Sequence, residues 1–150
     1  MTELPDRKWL YHSIPSWVDM SDYWFVTICC QVRGRNQLAN KNVYATIREA
    51  FLFYQNLGRI RVVVWTLMPD HLHFIAAFNH DFGMPRLIKN FKKYITIKCG
   101  ILWQRGFFDH RLRSSKEFSE KYWYVLLNPV RAGLVKKFED WPYSKESGAR

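Results

Sequence analysis

Apolar residues in this chain recur with two periods, and the period switches several times along its length. Tyr23 to Val32 is dense in β-branched and aromatic residues, the composition of a strand, and Arg33-Gly34-Arg35-Asn36 ends it. From Asn42 to about Leu57, Val43, Ile47, Ala50, Phe51 and Tyr54 recur at helical spacing, and Gly58 suits the end of that helix. Arg61 to Met68 reads as a second strand, Pro69-Asp70 as a turn or bulge, and His71 to Phe78 as a third strand, the two strands forming a hairpin. A second helix is expected from Met84 to about Lys98, with Leu87, Ile88, Phe91 and Ile95 on its apolar face. A short fourth strand falls within Leu102 to Arg113, and a third helix runs from Ser115 to about Leu127. Pro129 disfavours helical geometry at Asn128, so the regular helix should stop there. The order β-α-β-β-α-β with a trailing helix predicts an α+β, ferredoxin-like sandwich: an antiparallel sheet with helices packed on it. No repeat or linker divides the chain, so residues 1–150 read as one domain.

Charge then narrows the partners. The net charge is +10, which points to a polyanion, with nucleic acid first. Arg86, Lys89 and Lys93 share a helix face, and Arg111 and Arg113 share a strand face if that segment is extended, so both sets could follow phosphates. A solvated basic surface reads equally well from spacing alone. Trp65, Trp103, Phe107 and Phe108 are candidates for base stacking, although most aromatic residues belong in a core. The N-terminus, Met1 to Lys8, lacks an apolar signal core, and no apolar run is long enough to span a bilayer, so a cytoplasmic protein without a membrane partner is expected. Cys29, Cys30 and Cys99 make a poor disulfide framework and read as reduced thiols.

Two clusters carry chemistry. On a strand, His71 and His73 project from one face, roughly 7 Å apart along the backbone, so their ring nitrogens can converge on one metal ion while Leu72 enters the core. Two histidines on a solvated face are the simpler alternative. On the trailing helix, Glu120, Tyr124 and Asn128 form one polar stripe at i, i+4 and i+8. Asn128 before Pro129 could instead cap a new helical turn that Gly133 closes, Tyr124 could be a half-buried packing residue, and Glu120 could simply face solvent. His12, His80 and His110 have no partner spacing and are taken as non-ligands.

The stretch Tyr124-Val125-Leu126-Leu127-Asn128-Pro129-Val130-Arg131-Ala132-Gly133-Leu134-Val135 resembles the signature of the single-tyrosine (Y1) HUH transposases of the IS200-like superfamily, closest to the REP-associated branch. Met68-Pro69-Asp70-His71-Leu72-His73 is similar to that family's His-hydrophobic-His motif. Trp103 to Arg113 is similar to its middle block and Asp140 to Ser144 to its closing block. The resemblance runs from about Tyr23 to Ser144. It implies His71, His73 and Asn128 as ligands of Mg²⁺ or Mn²⁺, Tyr124 as nucleophile, and single-stranded DNA beside an imperfect hairpin as substrate. The reaction implied is cleavage and strand transfer through a 5′-phosphotyrosine. Monomer and homodimer both stay open, as do two other functions: a non-catalytic nucleic-acid-binding module, and a metal-dependent phosphodiesterase that uses water.

Overall fold

The structure, a computed structural model, describes residues 23–147. The N-terminal signal reading and His12 lie outside the described residues. Five strands and three α-helices follow in the order β1 (Tyr23–Cys29), α1 (Lys41–Asn56), β2 (Ile60–Leu67), β3 (His71–Phe78), α2 (Met84–Cys99), β4 (Phe108–Arg111), α3 (Ser115–Arg131) and β5 (Ser144–Glu146). The sheet order is β4-β1-β3-β2-β5, with every neighbouring pair antiparallel. The first four strands and two helices are the ferredoxin-like sandwich expected from the pattern.

Side chains alternate across the sheet, and each face has its own cover. Val26, Ile28, Leu72, Phe74 and Ala76 point to one face, where Val43, Ile47 and Phe51 of α1 and Leu87, Phe91 and Ile95 of α2 close over them. Tyr23, Phe25, Ile75 and Ala77 point to the other, where Phe118, Tyr122, Val125 and Leu126 of α3 pack. The central strands β1 and β3 are therefore buried on both sides, which explains why they read as unbroken apolar runs.

Local chemistry sets the helix ends. Asn40 caps α1, its side chain accepting from Val43 N–H, and Ser114 caps α3 by accepting from Glu117 N–H. Glu117 reaches back to accept from Arg113 N–H and pairs with His110 Nε2 at 3.0 Å, which fixes the approach from β4 into α3.

Three expectations change. α3 does not stop at Leu127: it continues through Pro129 to Arg131, so Asn128 is an interior helical residue and caps nothing. Pro129 is accepted because its missing N–H costs one bond near the helix end, its ring is buried, and Asn128 and Pro129 still accept from Ala132 and Leu134 N–H. Gly133, at φ 77°, then ends the helix in the left-handed region. β4 covers only Phe108–Arg111, so Arg113 lies in the loop beyond it and does not share a strand face with Arg111. β5 is absent from the expected order. It is three residues long, too short for a periodic signal, and it covers the edge of β2, with Thr66 Oγ1 and Ser144 Oγ 2.6 Å apart. The three cysteines are free, and among the described residues no helix is long and apolar enough to cross a membrane.

Candidate active site

His71 and His73 occupy the first and third positions of β3 and project toward the α3 face, as the alternation requires. Leu72 between them is fully buried on the opposite face. The two Nε2 atoms are 3.1 Å apart. Each ring is held from its other nitrogen. His71 Nδ1 lies 2.8 Å from Asp70 Oδ1, and His73 Nδ1 lies 2.8 Å from Thr27 Oγ1, across the β1–β3 register pair Thr27 and His73.

Asp70 is itself anchored. Its Oδ2 accepts from Arg33 Nε at 2.9 Å and from Gly34 N–H at 2.7 Å. Gly34 adopts φ 85°, a region that favours glycine, and the Arg33–Gly34 turn brings this N–H onto the carboxylate. These bonds outweigh the cost of partial burial and hold the Asp70 carboxyl well below the usual carboxylate range. A carboxylate only accepts, so His71 must carry its proton on Nδ1 and present the Nε2 lone pair. His73 is 6% exposed, and burial, with the nearby charges of His71, Lys121, Arg131 and Arg33, pushes its pKa down to about 3. It is a neutral imidazole at physiological pH. The Thr27 hydroxyl can accept from or donate to its Nδ1, so His73 can present either a lone pair or an N–H at Nε2.

This donor set fits a divalent metal ion. Ligands at right angles about 2.1 Å from an octahedral ion stand about 3.0 Å apart, close to the Nε2 separation found. Two oriented imidazoles backed by a carboxylate and a hydroxyl have the outer-shell support that metal sites show. Among the described residues no group of three His, Cys, Asp or Glu side chains is placed to hold a metal, so a third protein ligand has to be of another type.

Tyr124 projects from α3 onto this pair. Its ring centroid lies 5.6 Å from that of His73 and 5.7 Å from that of Phe25, both edge-on, and the residue is 37% exposed. Burial of Phe118, Tyr122, Val125 and Leu126 against the sheet fixes the rotation of α3 and leaves Tyr124 at the margin of the contact. Asn128 follows one turn later, half-buried. Glu120 is exposed and makes no hydrogen bond or ion pair among the described residues, so it does not orient the tyrosine.

Two residues at this site were not singled out from the sequence. Lys121 Nζ lies 4.7 Å from the Phe25 ring centroid and 4.8 Å from that of Tyr124. The Arg131 guanidinium lies 4.4 Å from the Tyr124 ring centroid and donates to the Tyr124 carbonyl oxygen. The signal was present: Lys121, Tyr124, Asn128 and Arg131 are spaced 3, 4 and 3, a single helical stripe.

The other predicted contact residues are dispersed. Arg86, Lys89 and Lys93 are exposed and share a face of α2, but α2 covers the opposite side of the sheet from His71, His73 and Tyr124. Arg86 stacks on Phe82, 4.0 Å from the ring centroid, and bonds the Phe82 carbonyl. Arg111 pairs with Trp24 in the β1–β4 register and lines a hollow with Trp24, His80 and Met84, also away from the histidines. Arg113 is exposed in its loop. Trp65 is 2% exposed and stacked on Tyr44, a core residue with no face for a base. Trp103 and Phe107 are partly buried against the α1–α2 core. Phe108 differs: it is 58% exposed, opposite Thr27 in register, with its ring 6.2 Å from Phe25 on the tyrosine side. His110 is occupied by Glu117.

Known proteins share this fold. The sequence is 29% identical to the REP-associated tyrosine transposase of Escherichia coli (strain K12) over 124 residues, 81% of this chain and 74% of the relative. It is 25% identical to a putative REP-associated tyrosine transposase of Haemophilus influenzae over 143 residues, covering 81% and 77%. Its fold superposes on a solved REP-associated tyrosine transposase bound to a REP hairpin with a TM-score of 0.73, at 29% identity and over 87% of this chain and 80% of that one. The family described as "Transposase IS200 like" matches residues 20–138, a span that includes both histidines and Tyr124. The chain belongs to the IS200-like family of Y1 transposases.

Proposed function

We propose that this transposase cleaves and rejoins single-stranded DNA through a covalent bond between Tyr124 and a 5′ phosphate, using a divalent metal ion, at sites next to an imperfect hairpin. The observation that carries the reading is the contact of Tyr124 with His73, with the Nε2 atoms of His71 and His73 converging 3.1 Å apart beside it. The tyrosine ring, the paired imidazoles and a partly open face are neighbours.

His71 and His73 would hold the ion through Nε2, with the Asn128 amide oxygen as third protein ligand. Mixed nitrogen and oxygen ligands do not fix the ion, since zinc also tolerates them; Mg²⁺ or Mn²⁺ is taken from the resemblance to the Y1 transposases. Bound there, the ion would supply Lewis-acid polarisation of a non-bridging phosphate oxygen. The protein's part is orientation. Asp70 keeps the His71 lone pair directed inward, and with His73 donating from Nδ1–H to the Thr27 hydroxyl oxygen, both imidazoles would present lone pairs together. Tyr124 gives its phenolic proton to solvent, which in turn protonates the leaving oxygen, and the phenolic oxygen attacks phosphorus. The P–O3′ bond breaks, the departing oxygen takes up a proton as a 3′-OH, and the 5′ phosphate remains on the tyrosine. The phosphodiester energy is kept in that ester, so a 3′-OH from another strand can reverse the step and complete transfer without ATP. Exposed Phe108 offers a stacking surface for a base of the bound strand. The hairpin is suggested by the relative bound to a REP hairpin.

The test uses labelled single-stranded oligonucleotides carrying an imperfect hairpin, and the same sequence fully paired, with Mn²⁺ at one salt concentration. The single strand should be cleaved and should leave a covalent adduct that Tyr124→Phe abolishes. Cleavage without an adduct would identify the water-using phosphodiesterase. Binding without cleavage would identify the non-catalytic module. Equal rates on paired and unpaired DNA would falsify the single-strand reading.

A further inference from the structure

Lys121 and Arg131 bracket Tyr124 from one turn before it and two turns after it on α3. Both side chains lie over its ring, at 4.8 and 4.4 Å from the centroid. Cation–π contact alone is a weak attraction at an exposed site, too little to explain placing two like charges around one tyrosine. Neither cation is paired with a carboxylate among the described residues. The nearest acidic side chains in sequence are accounted for: Glu117 serves Arg113 and His110, and Glu120 is exposed without a partner. Elsewhere on this face, Arg33 is neutralised by Asp70. The tyrosine therefore sits between two positive charges that no carboxylate among the described residues pairs with.

Arg131 has a second attachment. Pro129 has no N–H to give the carbonyl of Val125, so the backbone bonding of the helix is weakened in the turn that follows Tyr124. Arg131 donates to the Tyr124 carbonyl across that turn. Its guanidinium is thus anchored by one N–H, leaving further donors of its planar fork for a ligand.

We propose that Lys121 and Arg131 form a phosphate clamp around Tyr124, holding the phosphate that Tyr124 attacks and the next one along the strand. The clamp rests on the reading of Tyr124 as nucleophile. It also separates two tasks: α3 grips the backbone at the reacting position, while the α2 stripe lies on the far side of the sheet. A cation over the phenol ring is within reach of a phosphate meeting the hydroxyl, and two such cations offset charge that grows on the phosphate during attack. Because both act on phosphate oxygens, the clamp is indifferent to base sequence.

Salt dependence of binding provides the test, since it counts phosphate contacts without requiring turnover. The Tyr124→Phe chain, with chelator present, is titrated with a labelled single-stranded hairpin oligonucleotide across a series of salt concentrations. Lys121→Gln and Arg131→Gln in that background should each lower the slope of log K against log salt by about 0.7, and Arg131→Lys should restore it. In the chain that retains Tyr124, Lys121→Gln should slow adduct formation at saturating DNA on the order of 10²-fold. Unchanged slopes in folded variants would overturn the clamp. Should Arg131→Gln fail to fold, Lys121→Gln decides alone, because its side chain is tied only to ring contacts. A wild-type chain that forms no adduct, with both slopes lowered, would sink the nucleophile reading and leave the clamp standing. Normal adduct formation with unchanged slopes would do the reverse.

Discussion

Asp70→Asn changes one atom of a side chain and tests how the metal site is built. The carboxylate accepts three bonds, from Arg33 Nε at 2.9 Å, Gly34 N–H at 2.7 Å and His71 Nδ1–H at 2.8 Å. Bonds to a charged acceptor contribute about 1.5–3 kcal/mol each, against about 0.5–1.5 for neutral ones. Asparagine keeps one carbonyl oxygen, which can serve Arg33 and Gly34 or His71, but not all three. If the oxygen stays with Arg33 and Gly34, the amide N–H₂ faces His71 and can only donate. His71 must then carry its proton on Nε2, which turns a lone pair away from the site. If the oxygen turns to His71, the Arg33–Gly34 turn loses its anchor. Either way the expected loss of stability is about 2–3 kcal/mol, roughly the charge increment over two bonds. Mn²⁺ affinity should fall about 10–100-fold, the usual effect of removing an outer-shell partner of a metal histidine. Calorimetric titration of Mn²⁺ into the wild-type and Asp70→Asn chains, beside urea denaturation of each with chelator, measures the two effects separately. A variant that loses the stability but binds Mn²⁺ as tightly as the wild type would refute the argument, since the tautomer of His71 would then not depend on Asp70. No Mn²⁺ binding by either chain would refute the metal site itself.

Two further outcomes are expected. His73 is held neutral with its pKa near 3, against 6.5 for a free imidazole, so the unfolded chain binds the extra proton first. Its contribution to stability is complete above about pH 6.5 and is lost as pH falls toward 3. Urea denaturation with chelator should therefore show a loss of up to about 2 kcal/mol between pH 6.5 and 5; an equal loss in His73→Gln would assign the effect elsewhere. Lys89→Ala with Lys93→Ala should lower the salt slope of single-strand binding by roughly 0.7 for each phosphate the lysines had neutralised. Because α2 lies across the sheet from Tyr124, the rate of adduct formation at saturating DNA should be unchanged; a slowed adduct would place these lysines in the path of the reacting strand.

The sequence by itself determined which face each apolar residue would take, because strand and helix periods are properties of consecutive residues. That is why the histidine pair on β3, the α1 and α2 core positions and the β-α-β-β-α-β order were legible. The outer-shell partners of the histidines were only half legible: Asp70 stands next to His71, but Thr27 is 46 positions from His73 and meets it only through the β1–β3 register. Tyr124 was singled out by its motif, yet nothing local brings it to His73; burial of Tyr122, Val125 and Leu126 sets the rotation of α3 that does so. Pro129 shows the limit of local rules, since a dipeptide preference that predicts a helix end was outweighed by packing of the last turn. The basic residues show it again. Arg86, Lys89, Lys93, Lys121 and Arg131 are alike in sequence, and only the layering of helices on two faces of one sheet decided which of them stand beside the tyrosine.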